Sequence, residues 1–177
     1  MSTRSDKDVV QLCSLMPATA VDAAVLPWAL MSVPIASLLS AGGDAFVDFT
    51  LKKAAEDRKV VLLVAPDTMD TARGAPPDAG GCVLRAFMNS AGFVALDGAE
   101  VRRNMWFGED PLARGETVRL RYVAATRMVS VVWRAREYEL AALPAVYDLA
   151  HYRFGVQGVG ATVRILAGSA AGARRPP

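Results

Sequence analysis

Apolar and polar residues alternate with a period of two through the middle of this chain. In the run 45–51, Ala45, Val47, Phe49 and Leu51 fall on one face and Phe46, Asp48 and Thr50 on the other, which is the pattern of a half-buried strand. The alternation is cleanest at 118–122, where Val118, Leu120 and Tyr122 oppose Arg119 and Arg121. After a turn at 124–127 it resumes at 128–133, with Val129, Val131 and Trp133 on one side, and Tyr138 and Leu140 begin a further short strand. Tyr152, Phe154 and Val156 alternate again, and a turn at Gly158 and Gly160 leads to Ala161, Val163 and Ile165. A different pattern marks 60–65, a continuous Val, Leu and Ala run suited to a strand covered on both faces. Residues 82–88 and 92–96 bracket Asn89, Ser90 and Ala91 as a strand–turn–strand unit.

These runs predict eight or nine strands of five to seven residues joined by short turns. The fold class they predict is all-β, an antiparallel two-sheet sandwich or jelly roll. Helix has two places left to form, 51–58 and 23–39, but neither joins a good cap to a 3.6-residue stripe, and Pro27 and Pro34 interrupt the second. No repeat of solenoid length is visible. Residues 66–81, with Pro66, Pro76, Pro77, Gly74, Gly80 and Gly81, form the longest irregular segment, and a loop of that length inside a compact domain is a candidate for function. Residues 1–8 are polar and 168–177 are Gly, Ala, Ser, Arg and Pro, so the expected organisation is a flexible N-terminus, one domain over 9–167 and a flexible C-terminal tail.

Composition narrows the function classes. The chain of 177 residues is 53% hydrophobic and 21% charged, enough to bury a sizeable core. A net charge of +2, from 20 basic and 18 acidic residues, gives no broad footprint for nucleic acid or an anionic membrane. Two cysteines, Cys13 and Cys82, and one histidine, His151, cannot supply a four-ligand zinc site. The cysteines are expected as buried, reduced thiols, which suits an intracellular, cytoplasmic protein. Asp6 and Asp8 offset Arg4 and Lys7, a poor start for a signal peptide. Residues 23–43 carry no charge over a length that could span a bilayer, yet their prolines and the Gly42-Gly43 pair favour strand-and-turn structure.

The stretch 107–166 resembles the C-terminal half of SPRY (B30.2-like) domains, which are concanavalin-A-like sandwiches. Gly115-Glu116 is similar to the Gly-Asp that precedes a strand in that family, and Val118 to Tyr122 and Val129 to Trp133 resemble the two strands that follow. Arg134-Ala135-Arg136 stands where the family commonly has Asn-Gly, Tyr152 to Val156 and 161–166 resemble the closing strands, and 44–65 is similar to the early strand pair. The departures are Glu116 for Asp and Ala135-Arg136 for Asn-Gly. The resemblance implies a module that binds a peptide or protein surface through loops at one end of the sandwich.

Catalytic chemistry has little to stand on. Glu137 and Glu139 project from one face of a strand, but the carboxylate signature of glycosidases on this kind of fold is absent, and solvated edge charges are the simpler reading. Asp44 and Asp48 share a face, and Asp67 and Asp70 could contribute to calcium, but no calcium-loop pattern frames them. His151 has no nucleophile motif near it, and Gly155, Gly158 and Gly160 read as turns with no helix following. No enzyme activity, metal or cofactor is therefore expected.

The segment 100–107 mixes Arg102 and Arg103 with Trp106 and Phe107. Its aromatic residues suit either the core end of a strand or a partner-binding loop, because Trp, Tyr and Arg dominate interface hot spots. Arg102, Arg103 and Trp106, with Asp70 and Arg73 in the long segment, are the candidate partner-binding residues. If both segments recognise one partner, they should lie at the same end of the sandwich. The expected partner is a protein or peptide, with a glycan-binding or assembly sandwich as the alternative.

Overall fold

The computed structural model describes residues 9–11, 28–31, 33–41, 43–53, 60–68, 82–88, 92, 94–103, 105, 112–158 and 162–169. Along them run β1 (Val9–Gln11), β2 (Trp28–Leu30), α1 (Ile35–Leu38), β3 (Asp44–Lys53), β4 (Val60–Pro66), β5 (Leu84–Phe87), β6 (Val94–Leu96), β7 (Ala99–Arg102), β8 (Thr117–Val123), β9 (Met128–Trp133), β10 (Arg136–Ala142), β11 (Tyr152–Gly158) and β12 (Thr162–Ser169). The strands form two six-stranded sheets, ordered β1-β12-β3-β8-β9-β10 and β2-β11-β4-β5-β6-β7. Neighbouring strands are antiparallel throughout both sheets.

The period-two pattern explains how the sheets face each other. Ala45, Val47, Phe49 and Leu51 of β3, Val118, Leu120 and Tyr122 of β8, and Val129, Val131 and Trp133 of β9 are all buried. They form one core with Val60, Leu62 and Val64 of β4 and Phe154 and Val156 of β11, two inner faces interdigitating as in other sandwiches. The continuous run in β4 has the two-sided burial its sequence suggests. Val61, Leu63 and Ala65 point away from the main core and are buried in a second cluster with Cys82. Burial pushes the Cys82 thiol up to about 12, although Arg85 pulls in the other direction.

Several expectations need correction. Tyr152 is only half-buried and packs at the margin of the core. Gly155 is an interior residue of β11, opposite Leu30 and Leu63, and not part of a turn. Residues 51–53 continue β3, with 54–58 outside the described residues, while the described part of the second helical window contains β2 and the four-residue α1 after Pro34. A strand unforeseen in the sequence, β7, follows Asp97-Gly98. Both turn residues have positive φ, 49° and 79°, as a two-residue hairpin turn requires, and Leu96 pairs with Ala99 across it. The last described strand, β12, runs from Thr162 to Ser169.

The registers define two ends. At one, Pro66 lies beside Tyr152, and the Asp97-Gly98 turn, the 124–127 turn and the 143–151 connection close the strands; this is the His151 end. At the other, the Gly115 end, lie the Trp133–Arg136 turn and the start of β8.

The edge strands β7 and β10 are joined on one side of the sandwich by a side chain. Leu140 is the extra residue of a bulge in β10, between Glu139 opposite Ser130 and Ala141 opposite Val129. The Arg102 Nε donates to the Leu140 carbonyl at 2.9 Å, a bond from one sheet to the other.

Candidate functional site

The connection between β10 and β11 crosses from one sheet to the other at the His151 end. It is built from two tight turns, with the Tyr147 amide donating to the Pro144 carbonyl (3.2 Å) and the His151 amide to that of Asp148 (2.9 Å). The Asp148 carboxylate also accepts from the Ala150 amide at 3.0 Å, a side-chain turn typical of Asp. Outside contacts fix the connection on both flanks. The Ala36 amide donates to the Leu149 carbonyl (3.2 Å), and the Asp67 amide to that of His151 (2.8 Å).

What this connection presents is partly apolar. Val146 is 81% exposed, the most exposed large hydrophobic residue among those described, with Val101 next at 45%. Beside it the Tyr147 ring meets the Tyr152 ring edge-on, with centroids 5.2 Å apart and planes at 74°, a favoured aromatic geometry. The Tyr147 hydroxyl donates to the Asp97 carboxylate and so ties the connection to the β6–β7 hairpin. That bond, with some desolvation and the negative charge, pushes the Tyr147 phenol up to about 12. On the other flank Asp67 lies 3.7 Å from His151 Nδ1 and 3.9 Å from an Arg153 nitrogen. Arg153 also donates to the Met31 carbonyl at 3.3 Å.

The Gly115 end is organised around one carboxylate. Glu116 accepts from Arg134 Nε at 2.6 Å and from the Ala113 amide at 2.6 Å. Burial alone would raise its pKa, but the hydrogen bonds from Arg134, Ala113 and Trp133 outweigh burial and hold the carboxyl below its ordinary value. The Arg134 guanidinium also lies over the Trp133 ring, 4.3 Å from its centre.

The outer face of the first sheet carries charges paired across strands. Arg119 grips Asp48 with two hydrogen bonds, 2.7 and 2.9 Å, and stacks over Phe46 at 3.9 Å. Arg121 bridges Asp44 on β3 and Glu137 on β10, and Ser130 donates to the same Glu137. Arg119 and Arg121 are therefore on the outer face but partly shielded, and Glu137 is held in an ion pair. Among the described residues no group of three or more His, Cys, Asp or Glu could hold a metal ion.

Solved structures with this arrangement include the SPRY domain of human HERC1, with a TM-score of 0.56 at 13% identity over 84% of both chains. The TRIM65 PSpry domain matches with a TM-score of 0.51 at 10% identity, over 80% of this chain and 71% of that one. The fold is that of SPRY domains. The galectin LEC-6 of Caenorhabditis elegans matches less well, at a TM-score of 0.46 and 12% identity over 93% of this chain and 97% of that one. No family model and no curated relative matches the sequence.

Within this SPRY fold two of the sequence candidates, Arg102 and Arg103, are described. Asp70, Arg73 and Trp106 lie outside the described residues. Arg102 ends β7 and spends its Nε on the seam to Leu140. Arg103 is exposed and ion-paired with Glu100. The described flanks of the two candidate segments also diverge. The long segment leaves from Pro66 and rejoins at Cys82, level with the Asp97-Gly98 turn. The chain after Arg102 heads toward the Gly115 end, where the Met105 amide meets the Gly92 carbonyl at 2.9 Å. The segments themselves, which the shared-end expectation concerns, lie outside the described residues. Sequence reasoning missed Asp97, Val146, Tyr147 and Asp148. The Asp97-Gly98 pair was a readable hairpin signal, and Val146-Tyr147 after Pro144 was an apolar pair in a segment with no alternation to bury it.

Proposed function

We propose that this SPRY-fold chain is a non-catalytic binding module that recognises a short peptide or protein surface at the His151 end. The observation that carries the reading is the Val146, Tyr147 and Tyr152 group. Val146 is 81% exposed and stands beside the half-buried Tyr147 and Tyr152 rings, on a connection whose backbone is already hydrogen-bonded to its surroundings. Such a surface costs little ordering entropy when it binds, and rigid aromatic residues with a polar rim are the usual anchors of recognition. Asp97 and Asp148 at the rim favour a ligand with a basic side chain next to an apolar one. Asp70 and Arg73, in the segment that departs beside His151, are proposed to extend the same surface. Arg103, which follows β7 on its way toward the Gly115 end, is proposed with Trp106 as the alternative site.

Selection from a displayed random-peptide library tests this directly. Enriched peptides should bind the intact chain, lose at least tenfold in affinity to Val146→Glu, and keep their affinity for Arg103→Ala and Trp106→Ala. Peptides lost only with Trp106→Ala would move the site to the Gly115 end. Binding to a glycan array with no peptide enrichment would overturn the peptide reading.

A further inference from the structure

Arg127 lies outside the group formed by Val146, Tyr147 and Tyr152 and yet holds its backbone. It closes the four-residue turn between β8 and β9 with a positive φ of 55°, which aims its side chain across the end of the first sheet. From there its guanidinium donates three hydrogen bonds: Nε to the Leu143 carbonyl at 2.8 Å, and one terminal nitrogen to the carbonyls of Pro144 (2.8 Å) and Tyr147 (3.0 Å). Its own carbonyl accepts from the Leu143 amide at 2.9 Å. The three carbonyls belong to the turn that carries Val146, and the last of them to Tyr147 itself. A planar guanidinium with a fixed fork of donors suits this task, because it satisfies several acceptors while losing little side-chain freedom for each bond.

We infer that Arg127 is the positioning residue of the recognition surface: it touches no ligand, but sets the shape in which Val146 and Tyr147 are presented. The inference rests on the reading of the His151 end as the binding surface. The other ties hold the far half of the connection, Leu149 through Ala36 and His151 through Asp67. For the near half Arg127 supplies the anchor on the backbone, and Asp97 adds a bond at the Tyr147 hydroxyl. Removing the guanidinium releases the Pro144 turn while the sandwich beneath it stays closed, since the Val123–Met128 pairing and the buried faces of β8 and β9 are independent of that side chain. Preorganisation of this kind shows in binding as a lost fraction of competent molecules, and so as a weaker apparent affinity.

Hydrogen exchange and peptide binding on Arg127→Ala together test the inference. The amide of Tyr147 should exchange at least tenfold faster than in the unmodified chain, while amides of β8 and β9 keep their protection. Library-selected peptides should bind at least tenfold more weakly, with Arg127→Lys intermediate. Unchanged exchange at Tyr147 overturns the inference whatever the peptides do. Peptides that are sensitive to Val146→Glu but indifferent to Arg127→Ala overturn it too and leave the binding reading standing. Peptides indifferent to both variants sink the binding reading, and with it the role assigned to Arg127.

Discussion

The Arg134-Ala135 turn offers a sharp test of the backbone geometry because two arguments about it differ in sign. Trp133 pairs with Arg136, leaving two central residues with φ of 49° and 60°. A turn with both values positive matches the twist of a hairpin but usually employs Asn-Gly. An L-residue held in the left-handed region costs roughly 1–2 kcal/mol. Glycine relieves that cost but adds freedom to the unfolded chain worth about 0.4–1 kcal/mol. Ala135→Gly should therefore stabilise by about 0.5–1 kcal/mol, a rise of roughly 1–4 °C in Tm for a chain of this size. Arg134→Gly gains the same relief but loses the Glu116 ion pair and the stacking on Trp133, so it should gain clearly less. Urea unfolding of the three proteins measures this, read as a shift in midpoint at constant slope. If Ala135→Gly is instead destabilised by about 0.5–1 kcal/mol, the penalty of glycine at an ordinary strand position, the assignment of a left-handed Ala135 fails.

Phe154 is fully buried between the sheets, so Phe154→Ala should cost about 3–5 kcal/mol by the same urea assay; a loss below 1 kcal/mol would mean that β11 does not face the core. Glu116 has a carboxyl pKa below its ordinary value, so its contribution is present above about pH 4.5 and disappears as pH falls through the lowered folded value. The stability gap between the unmodified chain and Glu116→Gln should accordingly close on acidification below about pH 4.5, and a gap that widens there contradicts the arrangement. The Cys82 thiol, pushed up to about 12 by burial, should resist alkylation at pH 8 in the folded chain and react on unfolding, followed by mass spectrometry of the Cys82 peptide. Its raised value favours the folded state below about pH 8.5, and that contribution declines as pH rises toward the folded value.

The sandwich was legible because burial in β3 and β8 follows strict alternation, broken in β9 only by the buried Ser130, and alternation is written directly in the order of residues. β4 was legible for the opposite reason, since six consecutive apolar residues rich in Val suit a strand buried on both faces. The binding end was far less so. Tyr147 and Tyr152 come from a connection and a strand, Asp97 from a hairpin some fifty residues earlier, and only the sandwich topology brings them together. Arg102 was misleading for a related reason. An Arg near aromatic residues reads as an interface residue, whereas a bulge on a distant strand gives it the Leu140 carbonyl to satisfy. Nothing in the sequence near Arg127 announces that its partners lie sixteen to twenty residues ahead.

The two-sided burial of β4 carries a liability outside the native state. Val60-Val61-Leu62-Leu63-Val64-Ala65 has no charge and no proline, and its Val and Leu residues favour the extended conformation, which is the composition of a segment that self-assembles into cross-β stacks. In the folded chain β11 and β5 occupy both of its hydrogen-bonding edges, so no template is offered. A heated molecule that releases either neighbour displays the segment to other copies, and association then competes with refolding. Survival under heat would be governed by how slowly β11 and β5 let go, a rate set by the unfolding barrier, and melting midpoints would move with scan speed and protein concentration.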